Sequence, residues 1–263
     1  MAPDTKRSSI RIAIAALFAM AAAPTPAATA AEVSVLSASA VKTVLSDIAD
    51  AFRLETGHTV KLIFATAGEV EKRVIAGEAT DVVVGTDVST AKLASQGLLA
   101  ADTRAIIARV GVGIGAREGA AKPDISSADA LKRALLAAKS VTYPDPARGG
   151  ASGIHFAKVI EQLGIAGPVK EKSVLGANPD FVCVAVAKGE VELCVHQISE
   201  ILPVKGVTLV GPLPRDVQRV TTFAIALSAK PGAAEAGRAF VAFVTRPDLK
   251  AKFAAAGLDY RLD

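Results

Sequence analysis

Two turns of this chain combine small residues with hydroxyl or basic side chains where a strand pattern gives way to a helix pattern. They read SASAVK at residues 37–42 and FATAGE at residues 64–69. Small residues let backbone N–H groups approach a ligand, and the dipole of a following helix favours negative charge. The turns therefore predict an anion site, with plain helix caps as the alternative interpretation. The predicted ligand contacts in them are Ser37, Ser39, Lys42, Thr66 and Gly68.

A third turn, YPDPARGGASG at residues 143–153, joins another strand pattern to another helix pattern. Its glycines suit a phosphate or carboxylate cradle. It lacks the Lys-Ser/Thr ending of a P-loop, so nucleotide binding is not expected. Arg148 is predicted to hold a ligand carboxylate with two hydrogen bonds, with a solvated loop arginine as the alternative. Ser152 is a further predicted contact.

A fourth segment, LCVHQISE at residues 193–200, places His196 and Gln197 at the end of a strand. The carboxyl edge of an open α/β sheet is where ligands bind. Gln197 can both donate and accept hydrogen bonds, so it is predicted to contact the ligand. His196 could act as a base, although a packed strand-end histidine explains it equally well. If the chain is an enzyme, its predicted bases are His196 and Lys42.

Composition and motifs exclude several other functions. The 263 residues carry a formal charge of +4, contain no Trp and show no basic cluster among aromatic residues, so nucleic-acid binding is not expected. The sequence has no HExxH, Cys-x-x-Cys or GxSxG motif, and its three His are scattered, so no metal and no cofactor is predicted. Cys183 and Cys194 can form a disulfide in an exported protein or remain two buried thiols.

Residues 1–31 read as an export signal. Lys6, Arg7 and Arg11 precede the apolar stretch 12–23, and Ala28-Thr29-Ala30 offers a cleavage site. The apolar stretch is too short to span a bilayer, and no later run is long enough, so no membrane insertion is expected. These features predict a periplasmic protein released from a cleaved N-terminal signal peptide.

Strand patterns alternate with helix patterns along the rest of the chain, which predicts an α/β fold with mostly parallel sheets. Residues 42–56 have apolar positions at helical spacing, and Gly57 is expected to end that helix. The strand patterns at 108–115 and 219–227 are longer than the others and bracket a central segment. This arrangement predicts one domain inserted into another, with the two long strands as crossovers and the ligand between the lobes.

The stretches VSVLSASAVKTVLSDIADAF, TGHTVKLIFATAG, IAGEATDVVVG and DPARGGASGIHFAKVIEQLGI resemble the periplasmic molybdate-binding proteins of ABC transporters. The resemblance implies a type II periplasmic-binding-protein fold in which two crossover strands form a hinge. It implies lobe I at residues 32–112 plus 222–263 and lobe II at 113–221. It also implies a small anionic solute, a monomer, and the membrane subunits of an ABC transporter as partner.

The chain departs from that family at the site. Where the molybdate binders supply a Ser hydroxyl from each of the first two turns, this chain aligns Ala40 and Ala67, and Gln197 stands in place of a Tyr. Weak or absent molybdate binding is therefore expected. The segments KPDISSADAL, GEVELCVHQISEI and VGPLP resemble the aconitate isomerase branch of the same broad family.

The sequence thus favours a periplasmic substrate-binding protein for a small anion, in particular an organic carboxylate. The alternative is a cofactor-free periplasmic isomerase of a small tri- or dicarboxylate on the same scaffold.

Overall fold

The computed structural model describes Met1, residues 30–176 and residues 178–259. Residues 2–29, which carry most of the predicted export signal, lie outside the described residues. The described strands are β1 (Glu32–Ala38), β2 (Thr59–Ala65), β3 (Val82–Thr86), β4 (Ala105–Arg117), β5 (Val141–Pro144), β6 (Ser173–Gly176), β7 (Leu193–Gln197), β8 (Val207–Pro212) and β9 (Val220–Leu227). The described α-helices are α1 (Lys42–Thr56), α2 (Ala67–Ile75), α3 (Asp87–Ser95), α4 (Ala128–Ala137), α5 (Ala151–Gln162), α6 (Ala166–Glu171), α7 (Val182–Ala187), α8 (Ile198–Ile201), α9 (Ala234–Val244) and α10 (Lys250–Ala255).

The strands form one continuous sheet in the order β2-β1-β3-β9-β4-β7-β5-β6, with β8 paired to β4. The predicted α/β fold is confirmed. Strands β1, β2 and β3 pair in parallel, as do β5, β6 and β7. Every antiparallel ladder involves β4 or β9. The sheet is therefore mixed rather than mostly parallel, because both long strands run against their neighbours.

Strand β4 connects the two ends of this sheet. Its first part, from Ala105 to Gly111, pairs with β9, and its last part, from Val112 to Arg117, pairs with β7 and β8. Both strands that the sequence marks as long crossovers thus lie at the centre of the sheet order, although β4 is longer than predicted.

The buried hydrophobic residues form two large clusters that divide along the chain. The first cluster, core I, draws on residues between 33 and 110 and between 223 and 258. The second, core II, draws on residues between 112 and 217. The exact lobe limits given by the resemblance stay a prediction.

Helix α1 shows how the sequence builds core I. Val44, Leu45, Ile48 and Phe52 are buried on one face of the helix, as their spacing predicts. Gly57 ends the helix with a φ of 78°, a left-handed conformation that favours glycine.

A disulfide joins Cys183 in α7 to Cys194 in β7, with the two Cα atoms 5.3 Å apart. It resolves the alternative that the sequence left open, and it ties α7 to the strand that carries His196. Among the described residues, no helix has the length and apolar composition needed to cross a membrane.

Candidate functional site

The four predicted turns meet at one buried pocket between core I and core II. Its walls come from the ends of β1, β2, β5 and β7, from the helix starts that follow them, and from β9. The lining residues are Ala38, Ser39, Ala40, Thr66, Ala67, Pro144, Gly150, Ala151, Ser152, His196, Gln197, Glu200 and Phe223.

Three helices begin at this pocket. Ala40 lies in the short 3-10 turn that leads into α1, while Ala67 and Ala151 are the first residues of α2 and α5. The first turn of a helix has backbone N–H groups without partners inside the helix, and it carries the positive end of the helix dipole. Because the side chains at these positions are methyl groups, an anion can come close to the backbone donors.

The hydroxyl groups near the pocket are already engaged with the protein. Ser39 Oγ donates to Ala65 O at 3.1 Å, and Thr66 Oγ1 donates to Arg148 O at 2.6 Å while accepting from Glu69 N. Thr66 is therefore a helix cap as well as a lining residue. Ser37 is fully buried, its hydroxyl donates to Ala38 O, and it is not among the pocket-lining residues.

The structure brings five of the predicted site residues together at the pocket: Ser39, Thr66, Ser152, His196 and Gln197. Lys42 instead forms an ion pair with Asp180 at 2.8 Å in a neighbouring groove. Arg148 forms an ion pair with Glu69 at 2.8 Å, and its side chain is 46% exposed. Neither cation is among the residues that line this pocket.

The second and third turns close one side of the pocket by direct backbone contact. Gly68 N donates to Gly149 O at 3.1 Å. A Cβ atom added to Gly68 would lie 2.8 Å from Gly149 Cα, and one added to Gly149 would lie 2.7 Å from Gly68 Cα. Such a contact is possible only between two glycines, so the sequence permits the turns of core I and core II to touch. Gly68 thus acts at the contact rather than in the pocket lining.

The sequence interpretation missed Glu200, which forms the only His–carboxylate pair among the described residues that line this pocket. His196 Nδ1 lies 3.0 Å from Glu200 Oε2, and their side chains are 3% and 13% exposed. Strand β7 ends at Gln197 and α8 begins at Ile198, so the i, i+4 spacing turns Glu200 back onto His196. That spacing was the available sequence signal. No comparable sequence signal pointed to Phe223, which β9 contributes to the pocket.

Two buried polar atoms at the pocket have no hydrogen-bond partner among the described residues. They are His196 Nε2 and Gln197 Oε1. On the other side of each group, Gln197 N and Ser152 Oγ lie 2.9 Å and 3.4 Å from His196 Nδ1, and Gln197 Nε2 donates to Thr221 Oγ1 at 3.2 Å. Buried polar atoms are normally hydrogen-bonded, so we expect a ligand or an ordered water to form hydrogen bonds with His196 Nε2 and Gln197 Oε1.

The other histidines of the described chain serve local structure. His155 Nε2 lies 2.8 Å from Val217 O, and His58 Nδ1 accepts from Ala31 N at 3.1 Å. Burial lowers the pKa of His155 below its ordinary value, although the hydrogen bond to Val217 acts in the opposite direction. No group of three His, Cys, Asp or Glu among residues 30–176 and 178–259 is placed to hold a metal ion.

Comparisons with known proteins agree on the kind of scaffold. The chain is 32% identical to an aconitate isomerase from a Pseudomonas species over 251 residues, which cover 90% of this chain and 92% of the relative. The periplasmic molybdate-binding protein of Azotobacter vinelandii superposes with a TM-score of 0.71 at 19% identity, covering 88% of this chain and 99% of that chain. The sulfate-binding protein SubI of Mycobacterium tuberculosis H37Rv gives a TM-score of 0.69 at 18% identity, covering 87% and 86%.

The two solved structures show the shared fold, which is the periplasmic-binding-protein fold that the sequence resemblance implies. The family profile described as bacterial extracellular solute-binding protein matches residues 33–259. Apart from Glu32, the first residue of β1, this match covers every strand and helix of the described chain and all residues that line the pocket. The chain therefore belongs to the family of bacterial extracellular solute-binding proteins.

Proposed function

We propose that this protein captures a small unsaturated di- or tricarboxylate in the pocket and isomerises it by moving a proton along the carbon skeleton. The observation that carries this proposal is the pair of the buried His196 with the partly buried Glu200 in the pocket wall, beside three helix starts. The identity to an aconitate isomerase over 90% of the chain supports it independently.

The lining favours an organic anion over a tetrahedral inorganic one. Backbone N–H groups at the helix starts suit carboxylate oxygens, while Ala38, Ala40, Ala67 and Phe223 offer apolar surface to a carbon skeleton. A tetrahedral oxyanion such as molybdate presents oxygens in all directions. Against these alanines some of its oxygens would lose hydrogen bonds, at about 1–3 kcal/mol each.

A carboxylate in the pocket wall is hard to explain if the protein only binds anions. The negative charge of Glu200 would oppose an anionic ligand, and a buried carboxylate is unfavourable unless it is paired. Paired with an imidazole, the carboxylate instead supports acid–base chemistry, because it stabilises the imidazolium that forms when the imidazole takes up a proton.

The proposed reaction uses only groups of this chain. The reaction requires the tautomer in which the imidazole proton is on Nδ1, facing Glu200 Oε2. His196 Nε2, which has no partner among the described residues, then accepts a proton from a carbon next to the double bond. The electron pair of that C–H bond delocalises into the conjugated carboxylate, which the helix starts stabilise. The imidazolium returns a proton to the carbon at the other end of the allylic system. The double bond shifts, and no net oxidation or reduction occurs.

The second candidate is transport, in which the same pocket delivers an anion to the membrane subunits of an ABC transporter. The family description favours it, since the match spans residues 33–259. Under either function, the protein acts as a monomer in the periplasm, after cleavage of the signal peptide at residues 1–31. Both use lobe I at 32–112 plus 222–263 and lobe II at 113–221, and both close the lobes over the ligand.

A two-stage experiment separates these candidates. A thermal-shift screen with cis-aconitate, trans-aconitate, citrate, molybdate and sulfate identifies ligands, since a ligand at 100 times its dissociation constant stabilises the fold by about 2.7 kcal/mol. Proton NMR of each aconitate incubation then detects isomerised product. We expect stabilisation by the carboxylates and conversion between the aconitates.

The variant His196→Gln should slow conversion by about 10²–10⁴-fold while binding remains measurable. The matched control is His58→Gln, which changes a histidine outside the pocket. Binding of aconitate without conversion would favour transport over isomerisation. Stabilisation by molybdate alone would overturn the choice of an organic anion.

A further inference from the structure

The side chain of Gln197 is held in the pocket wall by a hydrogen bond to a different strand. Its Nε2 donates to Thr221 Oγ1 at 3.2 Å, so β7 and β9 meet at this contact. Both residues are buried, with Gln197 2% and Thr221 8% exposed. The bond leaves Gln197 Oε1 buried and without a partner among the described residues.

The position of Thr221 follows from the alternation of side chains along a strand. Thr221 and Phe223 are two positions apart in β9, so their side chains point to the same side of the sheet. Phe223 lines the pocket, which places the Thr221 side chain against the pocket wall as well. Thr221 is not itself among the lining residues of this pocket. It can therefore influence a ligand there only through Gln197.

The two ends of the Gln197 amide have opposite hydrogen-bonding chemistry. Nε2 can only donate, whereas Oε1 can only accept. Because Thr221 accepts from Nε2, the end that remains for a ligand is the acceptor. A carboxylate carries no proton and cannot pair with Oε1, whereas a hydroxyl group can donate to it. A site that hydrogen-bonds a ligand hydroxyl discriminates against the analogue that lacks it, because the buried group is then left unpaired.

We propose that Thr221 is a positioning residue, which fixes the amide of Gln197 so that Oε1 faces the ligand and the pocket favours a carboxylate that also carries a hydroxyl group. This inference rests on the proposed function in that the pocket must bind di- or tricarboxylates. It adds a rule of selectivity that applies to isomerisation and to transport. For the isomerase, a hydroxylated tricarboxylate without a double bond competes with the substrate and is not converted.

The other unpartnered atom at the pocket already has a role in the proposed reaction. His196 Nε2 acts as the base that meets a carbon-bound proton, and Glu200 contacts Nδ1 of the same imidazole. Gln197 Oε1 has no part in that reaction. Among the described residues, Thr221 Oγ1 is the only atom hydrogen-bonded to the side-chain amide of Gln197.

Citrate and tricarballylate form a matched pair of probes, since they differ only by the hydroxyl group on the central carbon. Isothermal titration of the full-chain protein measures the dissociation constant of each. For the wild type we expect citrate to bind about tenfold more tightly than tricarballylate. The ratio of the two constants is the readout, because a variant that merely loosens the fold would weaken the binding of both ligands alike.

Variants on both sides of the hydrogen bond test the role of Thr221. Thr221→Val suits a strand but removes the acceptor for Nε2, so the preference for citrate should fall below about threefold. Thr221→Ser keeps a hydroxyl and should retain the preference. Gln197→Met removes the amide and should lose the preference, and Thr221→Val should not change the ratio further in that background. Thr222→Val, on the opposite side of β9, is the matched control and should leave the ratio unchanged.

Three results would count against the inference. A wild-type protein that binds tricarballylate at least as tightly as citrate would overturn it without any variant. A folded Thr221→Val variant with the wild-type ratio would show that Gln197 is positioned without Thr221. If neither tricarboxylate binds to the wild type, the proposed function itself fails, and the selectivity falls with it.

Discussion

Replacing Gly68 by Ala should weaken ligand binding without unfolding the protein, because it acts on the contact between the second and third turns. The added Cβ would lie 2.8 Å from Gly149 Cα, whereas ordinary contacts are 3.4–4 Å. The two turns must therefore separate by at least about 0.6 Å, and the hydrogen bond from Gly68 N to Gly149 O, now 3.1 Å, would be stretched beyond a normal length.

The size of the effect follows from two terms. Loss of the hydrogen bond removes about 0.5–1.5 kcal/mol, and overpacking of a tight contact costs about 1–3 kcal/mol. We expect the closed form to be destabilised by about 1–3 kcal/mol in total, since the turns can relax in part. If the ligand binds only the closed form, its apparent affinity falls by about 5–150-fold.

Isothermal titration with trans-aconitate measures this loss, and small-angle scattering with and without ligand reports closure. Gly167→Ala is the matched control, because an added Cβ there meets nothing within 4 Å. Urea denaturation without ligand should show that Gly68→Ala still unfolds cooperatively, with a loss of unfolding free energy no greater than the about 1–3 kcal/mol assigned to the contact. An unchanged affinity, or a large loss of unfolding free energy in the absence of ligand, would refute the reasoning.

Three further predictions concern other residues. Arg148→Ala should weaken ligand binding by less than about 1 kcal/mol, since Arg148 forms an exposed ion pair with Glu69. Glu69→Ala should have a similar effect in a double-mutant cycle. A tenfold or greater loss of affinity in Arg148→Ala would instead show that Arg148 binds the ligand. Because the pKa of His155 is lowered in the folded protein, the unfolded chain binds a proton at this imidazole more readily. The free energy of unfolding should therefore decline as the pH falls below about 6.5. Urea titrations at pH 5 and 7 should show a smaller decline for His155→Gln than for the wild type. The double variant Cys183→Ser, Cys194→Ser should lose about 2–3 kcal/mol of unfolding free energy, and equal urea midpoints would argue against a stabilising disulfide.

The turns at the site were predictable because their chemistry is local. Ala40, Thr66, Ala67 and Ser152 sit within one turn of a helix start, where residue size and capping ability are visible in the sequence. The positions of such turns at one edge of a sheet follow from the alternation of strands and helices. The location of the pocket could therefore be predicted from the sequence.

The roles of the long basic side chains were not predictable in this way. Lys42 was expected at the ligand, yet its partner Asp180 lies 138 positions along the chain. Arg148 was expected to clamp a carboxylate, and it does meet one, but that of Glu69, 79 positions away. A flexible side chain of several methylene groups can reach many partners, and only the fold decides which of them is near.

The mixed sheet has a similar explanation. Strand patterns report which residues are buried, but the direction of a strand depends on the connection that precedes it. Strand β4 carries the chain from core I into core II and β9 brings it back, so the two strands pair antiparallel, and β9 also runs against β3. Their length was visible in the sequence, whereas their direction was not.

The alanine lining of the pocket has a consequence for how this site can be mapped. Ala38, Ala40, Ala67 and Ala151 already carry the side chain that an alanine scan would introduce, and their N–H groups are present whatever the side chain. A conventional scan would report only the few polar side chains and would score most of the wall as inert. Substitution toward larger residues, or replacement of backbone amides by esters at these positions, would reveal the contacts that such a scan leaves invisible.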